Sequence, residues 1–446
     1  MKLTTFAFLA CNALSLGAFA QNTSRRCGNE LINQHLAATQ PVAWQARQQK
    51  LADDQQLAMQ QAVAGAFSKT AAQYPIPVAF HIVVTANQYR VMGNDTGVIR
   101  RVNSQLAVLN ADYSATNADI NLVPTPFVPL IGNTGLSFRL ASGTSANTIA
   151  PGIEVRTIPA STSFTMNDVY MGAKRYSQGG LDAWDPTKQL NVWVIATDNG
   201  ILGLCIPPQL VGYNLGGGTL TTADLGVVVS YGAFGSRDFR SQYFSPSTND
   251  KGRTLTHEIG HYFELEHTWM DSGCGNDDGI ADTPPQDDNT YCTPNCPTFP
   301  QYDQCSPTGN GIMFMNYMDY VDDAAMMLFT KGQAARMQYY TSPGRESYSL
   351  TQQVPQGVST PAAPEGRLVS VIPNPNSGNF RVLNNSSQPL SGLTVVDMTG
   401  RAVYQSPTAI PAQETQPIAL PALSKGIYFL SGTLGGETFT QKIVLQ

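Results

Sequence analysis

The sequence predicts a mixed α/β domain followed by a small all-β sandwich. From Ile76 to about residue 345, strand-like apolar runs alternate with stretches of helical spacing. Residues 351–366, TQQVPQGVSTPAAPEG, carry no periodicity and read as a linker. Beyond the linker, short apolar runs alternate with Gly, Asn and Pro turns, the texture of a small antiparallel sandwich.

The elements follow in chain order. Met1-Lys2, an apolar run from Phe6 to Phe19 and the small-residue end Ala18-Phe19-Ala20 make residues 1–20 a signal peptide. Residues 21–70 are rich in Gln and Ala, with helix-compatible stretches at Glu30–Leu36 and Trp44–Ala66; they read as a helical leader or pro-segment, with an ordinary N-terminal helical subdomain as the alternative. Residues 71–350 form the main domain. Pro77–Val84 is β-branched and apolar, hence a strand, and Val98, Val102, Leu106 and Leu109 share one face of a helix over Val98–Ala111. Leu136–Leu140, Leu190–Ala196 and Gly226–Ser230 are further strands. Residues 367–446 form the sandwich, with strands at Leu393–Val396, Ile427–Leu430 and Lys442–Leu445.

Composition narrows the function. With 42% hydrophobic and only 13% charged residues, the 446-residue chain has ample material for packed cores. The formal charge of −6 comes without a basic stripe, so nucleic acid is not an expected partner. No stretch after the signal is long and apolar enough to span a bilayer as a helix. Export permits disulfides among the six cysteines that follow the signal, Cys27, Cys205, Cys274, Cys292, Cys296 and Cys305. Four of them crowd into 274–305, so that loop is expected to be stapled, with connectivity left open.

Three of the five histidines fall within eleven residues, His257-Glu258-Ile259-Gly260-His261-Tyr262-Phe263-Glu264-Leu265-Glu266-His267. Histidines at i and i+4 share a helical face and can reach one cation; zinc accepts neutral imidazole nitrogens at about 2.0–2.1 Å. Glu258, beside the first histidine, is placed to act as general base on water. His267 is the geometric constraint. On a continuous helix it would lie about 15 Å along the axis from His257, so the helix must break after His261 and turn back. The zinc-protease pattern H-E-x-x-H-x-x-G-x-x-H has Gly at that turn, whereas this chain has Glu264.

HEIGHYFELEHTW, then CGNDDGIADTPPQ, then MFMNYMDYVDDAAMMLFTKGQAARM together resemble the pappalysin-type metzincin metalloproteases, in particular the cytophagalysin branch. The resemblance spans roughly residues 76–345. It implies a twisted sheet with an active-site helix and a secreted zinc endopeptidase acting on protein or peptide substrates. It also implies that Met318 is the Met-turn beneath the ligands and that Tyr320 hydrogen-bonds the oxyanion. The acidic loop resembles the family's calcium segment, with Asp278 and Thr283 as side-chain ligands and Asp277 and Ala281 as carbonyl donors; an ordinary solvated loop is the competing reading. Cys27 is placed like the family's pro-segment cysteine, a zymogen switch on the metal, with a disulfide as the alternative. Where the family usually has a further cysteine this chain has Ala325, which predicts either a stranded loop cysteine or its pairing with Cys205.

The tail motifs Ile372-Pro373-Asn374-Pro375, Asp397-Met398-Thr399-Gly400 and Leu423-Ser424-Lys425-Gly426-Ile427-Tyr428 resemble a type IX secretion sorting domain, which implies that secretion machinery as a partner. Two other functions remain open to the residues alone: an adhesion or binding protein with a vestigial metal site, suggested by Glu264, and a non-peptidase zinc hydrolase. Asp322 and Asp323 read as surface residues, or else as negative charge favouring Arg or Lys beside the scissile bond.

Overall fold

The computed structural model describes residues 27–64, 74–239, 248–269, 273–274, 278–292, 295–342, and 369–445 apart from 373, 375, 385, 387, 398, 399 and 413. The signal peptide, the linker 351–366 and Asp277 lie outside the described residues. Two helices come first, α1 (Asn29–Thr39) and α2 (Pro41–Val63), the latter opened by a proline at its first position, where no amide is needed. The main sheet then forms from β1 (Tyr74–Thr85), β2 (Leu136–Leu140), β3 (Thr148–Ala150), β4 (Ile153–Ile158), β5 (Leu190–Ile195), β6 (Gly203–Ile206) and β7 (Gly226–Ser230). Its order is β3-β4-β1-β5-β7-β6, with β2 joining the first half of β1. β1, β2, β4, β5 and β7 pair in parallel, while β3 and β6 run antiparallel at the two edges.

β1 and β5 are buried on both faces, as parallel strands covered on both sides must be, and their near-continuous apolar sequences follow from that. The polar exception is His81 in β1. Its imidazole bonds Glu154 of β4 at 2.6 Å and Asn191 of β5 at 2.8 Å, tying three adjacent strands through one buried side chain. After β1 the chain forms α3 (Ala86–Val91), whose N-terminus carries a capping box from Thr85 and Gln88, and then α4 (Asn94–Tyr113). α4 buries Val98, Val102 and Leu109 against the sheet, so the helical face read from the sequence is the packed face.

α5 (Arg253–Tyr262) and α6 (Lys331–Thr341) complete the helices among the described residues. The tail contains β8 (Val369–Ile372), β9 (Asn379–Asn384), β10 (Leu390–Val396), β11 (Ala402–Gln405), β12 (Thr415–Ala419), β13 (Gly426–Leu434) and β14 (Glu437–Leu445). They form two antiparallel sheets, β11-β10-β13-β14 and β12-β9-β8, around Val382, Leu393, Val395, Leu430 and Ile443. The mixed α/β domain followed by an all-β sandwich is the class the sequence predicted. β3, β4 and β6 were not anticipated: β3 and β6, with three and four residues, are too short to display a period, whereas β4 does alternate over Ile153-Glu154-Val155-Arg156.

Candidate active site

α5 carries the site and is anchored at its start. Gly252 precedes it in the left-handed region (φ 83°), and the Asp323 carboxylate accepts from the amides of Lys251 (2.8 Å) and Arg253 (3.2 Å), placing negative charge at the helix N-terminus. Arg253 returns the contact through Nη1 to the carbonyls of Asp323 (2.7 Å) and Met326 (2.6 Å). Asp323 is thus neither a surface residue nor a specificity charge, because burial and capping of α5 consume it. Asp322 is half-buried, and its amide faces Cys292 Sγ.

The three imidazoles converge. Nε2 of His261 lies 3.1 Å from Nε2 of His257 and 3.1 Å from Nε2 of His267, and the last pair is 3.3 Å apart. Nitrogens held at about 2.0–2.1 Å from a common centre at tetrahedral angles lie about 3.3–3.4 Å from one another, so the triangle has the size of a metal site. The outer nitrogens are spoken for: His257 Nδ1 donates to the carbonyl of Tyr317 and His261 Nδ1 to that of Leu265, each at 2.7 Å. Those bonds assign the Nδ1–H tautomer and turn both Nε2 lone pairs inward. Burial pushes all three imidazoles toward the neutral form a metal requires, His261 to about 4.

The helix ends as His267 demands. Glu264 has φ 64°, its amide donates to the carbonyl of His261 (2.9 Å), and the Leu265 amide donates to that of Gly260 (3.0 Å). This is a Schellman motif with Glu in the position glycine favours. The turn is braced from α1 and α2. Arg47 Nη2 lies 2.6 Å from Glu264 and Nη1 lies 2.8 Å from Glu266, and Asn33 donates to the other oxygen of Glu266 at 3.2 Å.

Met318 is buried under the site, and a Cβ on Gly260 would come within 2.6 Å of its sulfur, so the glycine admits the thioether against α5. Tyr317, the residue whose carbonyl holds His257, donates its hydroxyl to Asp112 at the end of α4 (2.8 Å), and Thr256 on α5 donates to the second oxygen of Asp112 (2.8 Å). Tyr320 packs its ring 5.0 Å from that of His267 and 5.8 Å from that of His257. Trp269 stacks on His267 with 4.4 Å between centroids and a 4° interplanar angle. Trp269, Asp112 and Arg47 were all missed in the sequence; only Trp269, two residues after the third histidine, offered a clue by position.

Glu258 is buried beside Gly203 of the edge strand β6, where a Cβ would lie 2.6 Å from its Cγ and Oε1. Burial raises its carboxyl well above the usual range. Cys27 meets it along the same strand edge. Its sulfur lies 3.6 Å from Glu258 Oε2, and with the three Nε2 atoms it forms a four-donor group whose members all lie within 4.8 Å of one another. Burial, then the Glu258 charge, raises the thiol. The chain at Cys27 runs parallel to β6, with the Gly28 amide donating to the carbonyl of Gly203 (2.8 Å). Tyr320 donates to the carbonyl of Cys27 at 3.5 Å.

Residues 217–341 match the family described as pregnancy-associated plasma protein-A, and residues 370–446 match the secretion system C-terminal sorting domain. An extracellular metalloprotease of Arthroderma benhamiae is 31% identical over 288 residues, covering 63% of this chain and 77% of its own. The chain belongs to the pappalysin family of metalloproteases. Extracellular metalloprotease 1 of Coccidioides posadasii is 28% identical over 327 residues, 72% of this chain and 91% of its own. Tannerella forsythia promirolysin superposes with a TM-score of 0.59 at 32% identity, covering 74% of this chain and 97% of its own; mature mirolysin in complex with a cleaved peptide does so at 0.52 and 34%, covering 63% and 96%. This pappalysin is a secreted metalloendopeptidase with a type IX sorting tail, which replaces both the adhesion and the non-peptidase alternatives. Among its described residues no helix is long and apolar enough to cross a membrane.

Two sequence expectations meet the structure differently. The pappalysin's loop cysteines pair among themselves, Cys274 with Cys305 and Cys292 with Cys296, leaving Cys27 and Cys205 as buried thiols. Absence of a cysteine at Ala325 therefore neither strands a loop cysteine nor recruits Cys205, since Cys292 and Cys296 lie close enough to join each other. In the acidic loop, Asp278 Oδ1 accepts from the hydroxyl of Thr283 (2.7 Å) and the amide of Ile280 (3.0 Å), while Ala281 is exposed. Asp282, not among the expected ligands, holds the Gly332 amide with one oxygen; its other oxygen is buried with no hydrogen-bond partner among the described residues.

Proposed function

We propose that this metalloendopeptidase holds zinc through Nε2 of His257, His261 and His267 and uses Glu258 as its general base. The single observation that carries the reading is the triangle of Nε2 atoms with edges of 3.1, 3.1 and 3.3 Å. Three neutral imidazoles suit zinc, which when bound acts as a Lewis acid on the scissile carbonyl and acidifies water. Glu258 takes the proton of the attacking water as its oxygen bonds to the carbonyl carbon. It then delivers that proton to the amine as the carbon–nitrogen bond breaks. Tyr320 donates to the developing oxyanion, and Met318 floors the site. The edge of β6, which the Gly28 amide already meets in the intact chain, holds the substrate extended.

In this reading residues 21–70 are the pro-segment, 71–350 the catalytic domain and 367–446 the sorting domain handled by type IX secretion machinery. Cys27 would keep the intact chain latent by presenting its sulfur to a metal held by the three imidazoles, taking the place of the water that catalysis needs. A calcium ion, if bound, would sit in the loop 277–283, with Asp278 and Thr283 as side-chain ligands, Asp277 and Ala281 as carbonyl donors, and Asp282 as an added carboxylate.

The test is the Glu258→Gln protein, processed as the wild type is. It should retain one zinc per chain and lose casein hydrolysis by at least about a hundredfold. Zinc retention with hydrolysis at the wild-type rate overturns the assignment.

A further inference from the structure

We infer that the face formed by Glu264, Glu266 and helix α6 is a docking surface for residues 27–64 as a separate polypeptide, one that keeps the excised pro-segment bound without help from the metal site. The inference rests on reading 21–70 as the pro-segment and adds a second anchor, distinct from Cys27.

The anchor is one stripe of α2. Arg47, Leu51, Asp54, Gln55 and Ala58 recur at helical spacing and are all buried. Leu51 and Ala58 enter the main apolar core, while the polar members meet polar partners. Arg47 spans Glu264 at 2.6 Å and Glu266 at 2.8 Å. Asp54 accepts from the hydroxyls of Tyr339 (3.0 Å) and Tyr340 (2.7 Å). Gln55 accepts from Arg336 Nε at 2.8 Å. None of these groups is one of the proposed zinc ligands, Glu258 or Cys27.

Charge explains why this surface keeps its occupant. Glu264 and Glu266 are two carboxylates buried on one short turn beside the third histidine, and a single guanidinium bridges them. Dissociation would give up this bridge, the hydrogen bonds of Asp54 and Gln55 and the burial of Leu51 and Ala58 together. A cut between α2 and β1 therefore severs the backbone but leaves the bridge intact. Since α1 begins two residues after Cys27, the retained fragment also keeps Cys27 at the metal site. Activation then requires a further cut within the fragment, or its dissociation.

The experiment uses the full chain with a specific protease site introduced between Ala64 and Tyr74, in a Glu258→Ala background to prevent self-digestion. After cutting, the fragment should co-elute with the catalytic domain on size exclusion. Arg47→Ala should weaken retention by about a hundredfold or more, and Arg47→Lys, which cannot bridge both carboxylates, should fall between. Arg47→Lys also decides the matter if Arg47→Ala does not fold. The fragment should co-elute in the Cys27→Ala chain as well. Separation of the wild-type fragment on cutting, or equal retention across the Arg47 series, overturns the proposal. The Cys27 switch is judged separately, by activity of the intact Cys27→Ala chain with Glu258 restored, so the two ideas fail independently.

Discussion

Replacing Glu264 with glycine should have opposite effects on the intact and processed proteins. Glu264 holds φ at 64°, a conformation that costs a non-glycine residue about 1–2 kcal/mol, and glycine removes that cost in both forms. In the intact chain the same substitution deletes a carboxylate 2.6 Å from Arg47. Removing one partner of a buried pair costs about 3–5 kcal/mol, and Glu266 still engages Nη1 of the guanidinium, so the low end applies. The net effect on the intact chain is a loss of about 1–2 kcal/mol, or about 2–8 °C at 2–4 °C per kcal/mol for a domain of this size. Once residues 21–70 are gone, Arg47 is gone too. Glycine then relieves the backbone with no Arg47 contact to lose, so the processed domain should gain about 1 kcal/mol, or about 2–4 °C. Scanning calorimetry of both forms in a Glu258→Ala background measures the two shifts. A shift of the same sign in both would refute the view that the pro-segment compensates Glu264.

Other consequences concern the supports of the site. Asp112→Asn weakens the carboxylate that holds Tyr317 and Thr256, and through Tyr317 the imidazole of His257; zinc affinity should fall about 10- to 100-fold, measured by chelator competition. Gly203→Ala puts a methyl 2.6 Å from the Glu258 carboxylate; kcat should fall more than tenfold with zinc content unchanged, and an unaltered kcat would show that the close packing there is without consequence.

The histidine spacing was legible because it sets a hard geometric condition. Two imidazoles fit one helical face and the third fits only if the helix breaks, and the break at Glu264 is there. Met318 and Tyr320 were legible only through resemblance, since a methionine and a tyrosine in an apolar stretch say nothing by themselves. Arg47 and Asp112 were not legible at all. Each looks like an ordinary polar residue of a helix, and each finds its partners more than a hundred residues away. Asp323 shows the reverse failure: an acidic residue after the Met-turn invites a pocket reading, yet it caps α5. Short edge strands such as β6 also escaped, although β6 borders Glu258, because four residues are too few to display a period.

X-ray absorption at the zinc edge of the intact chain tests the central claim most directly. Three nitrogens at about 2.0–2.1 Å and one sulfur at about 2.3 Å are expected, with the sulfur replaced by a lighter atom in Cys27→Ala. A zinc shell with fewer than three imidazoles, or a sulfur that persists in Cys27→Ala, would contradict it.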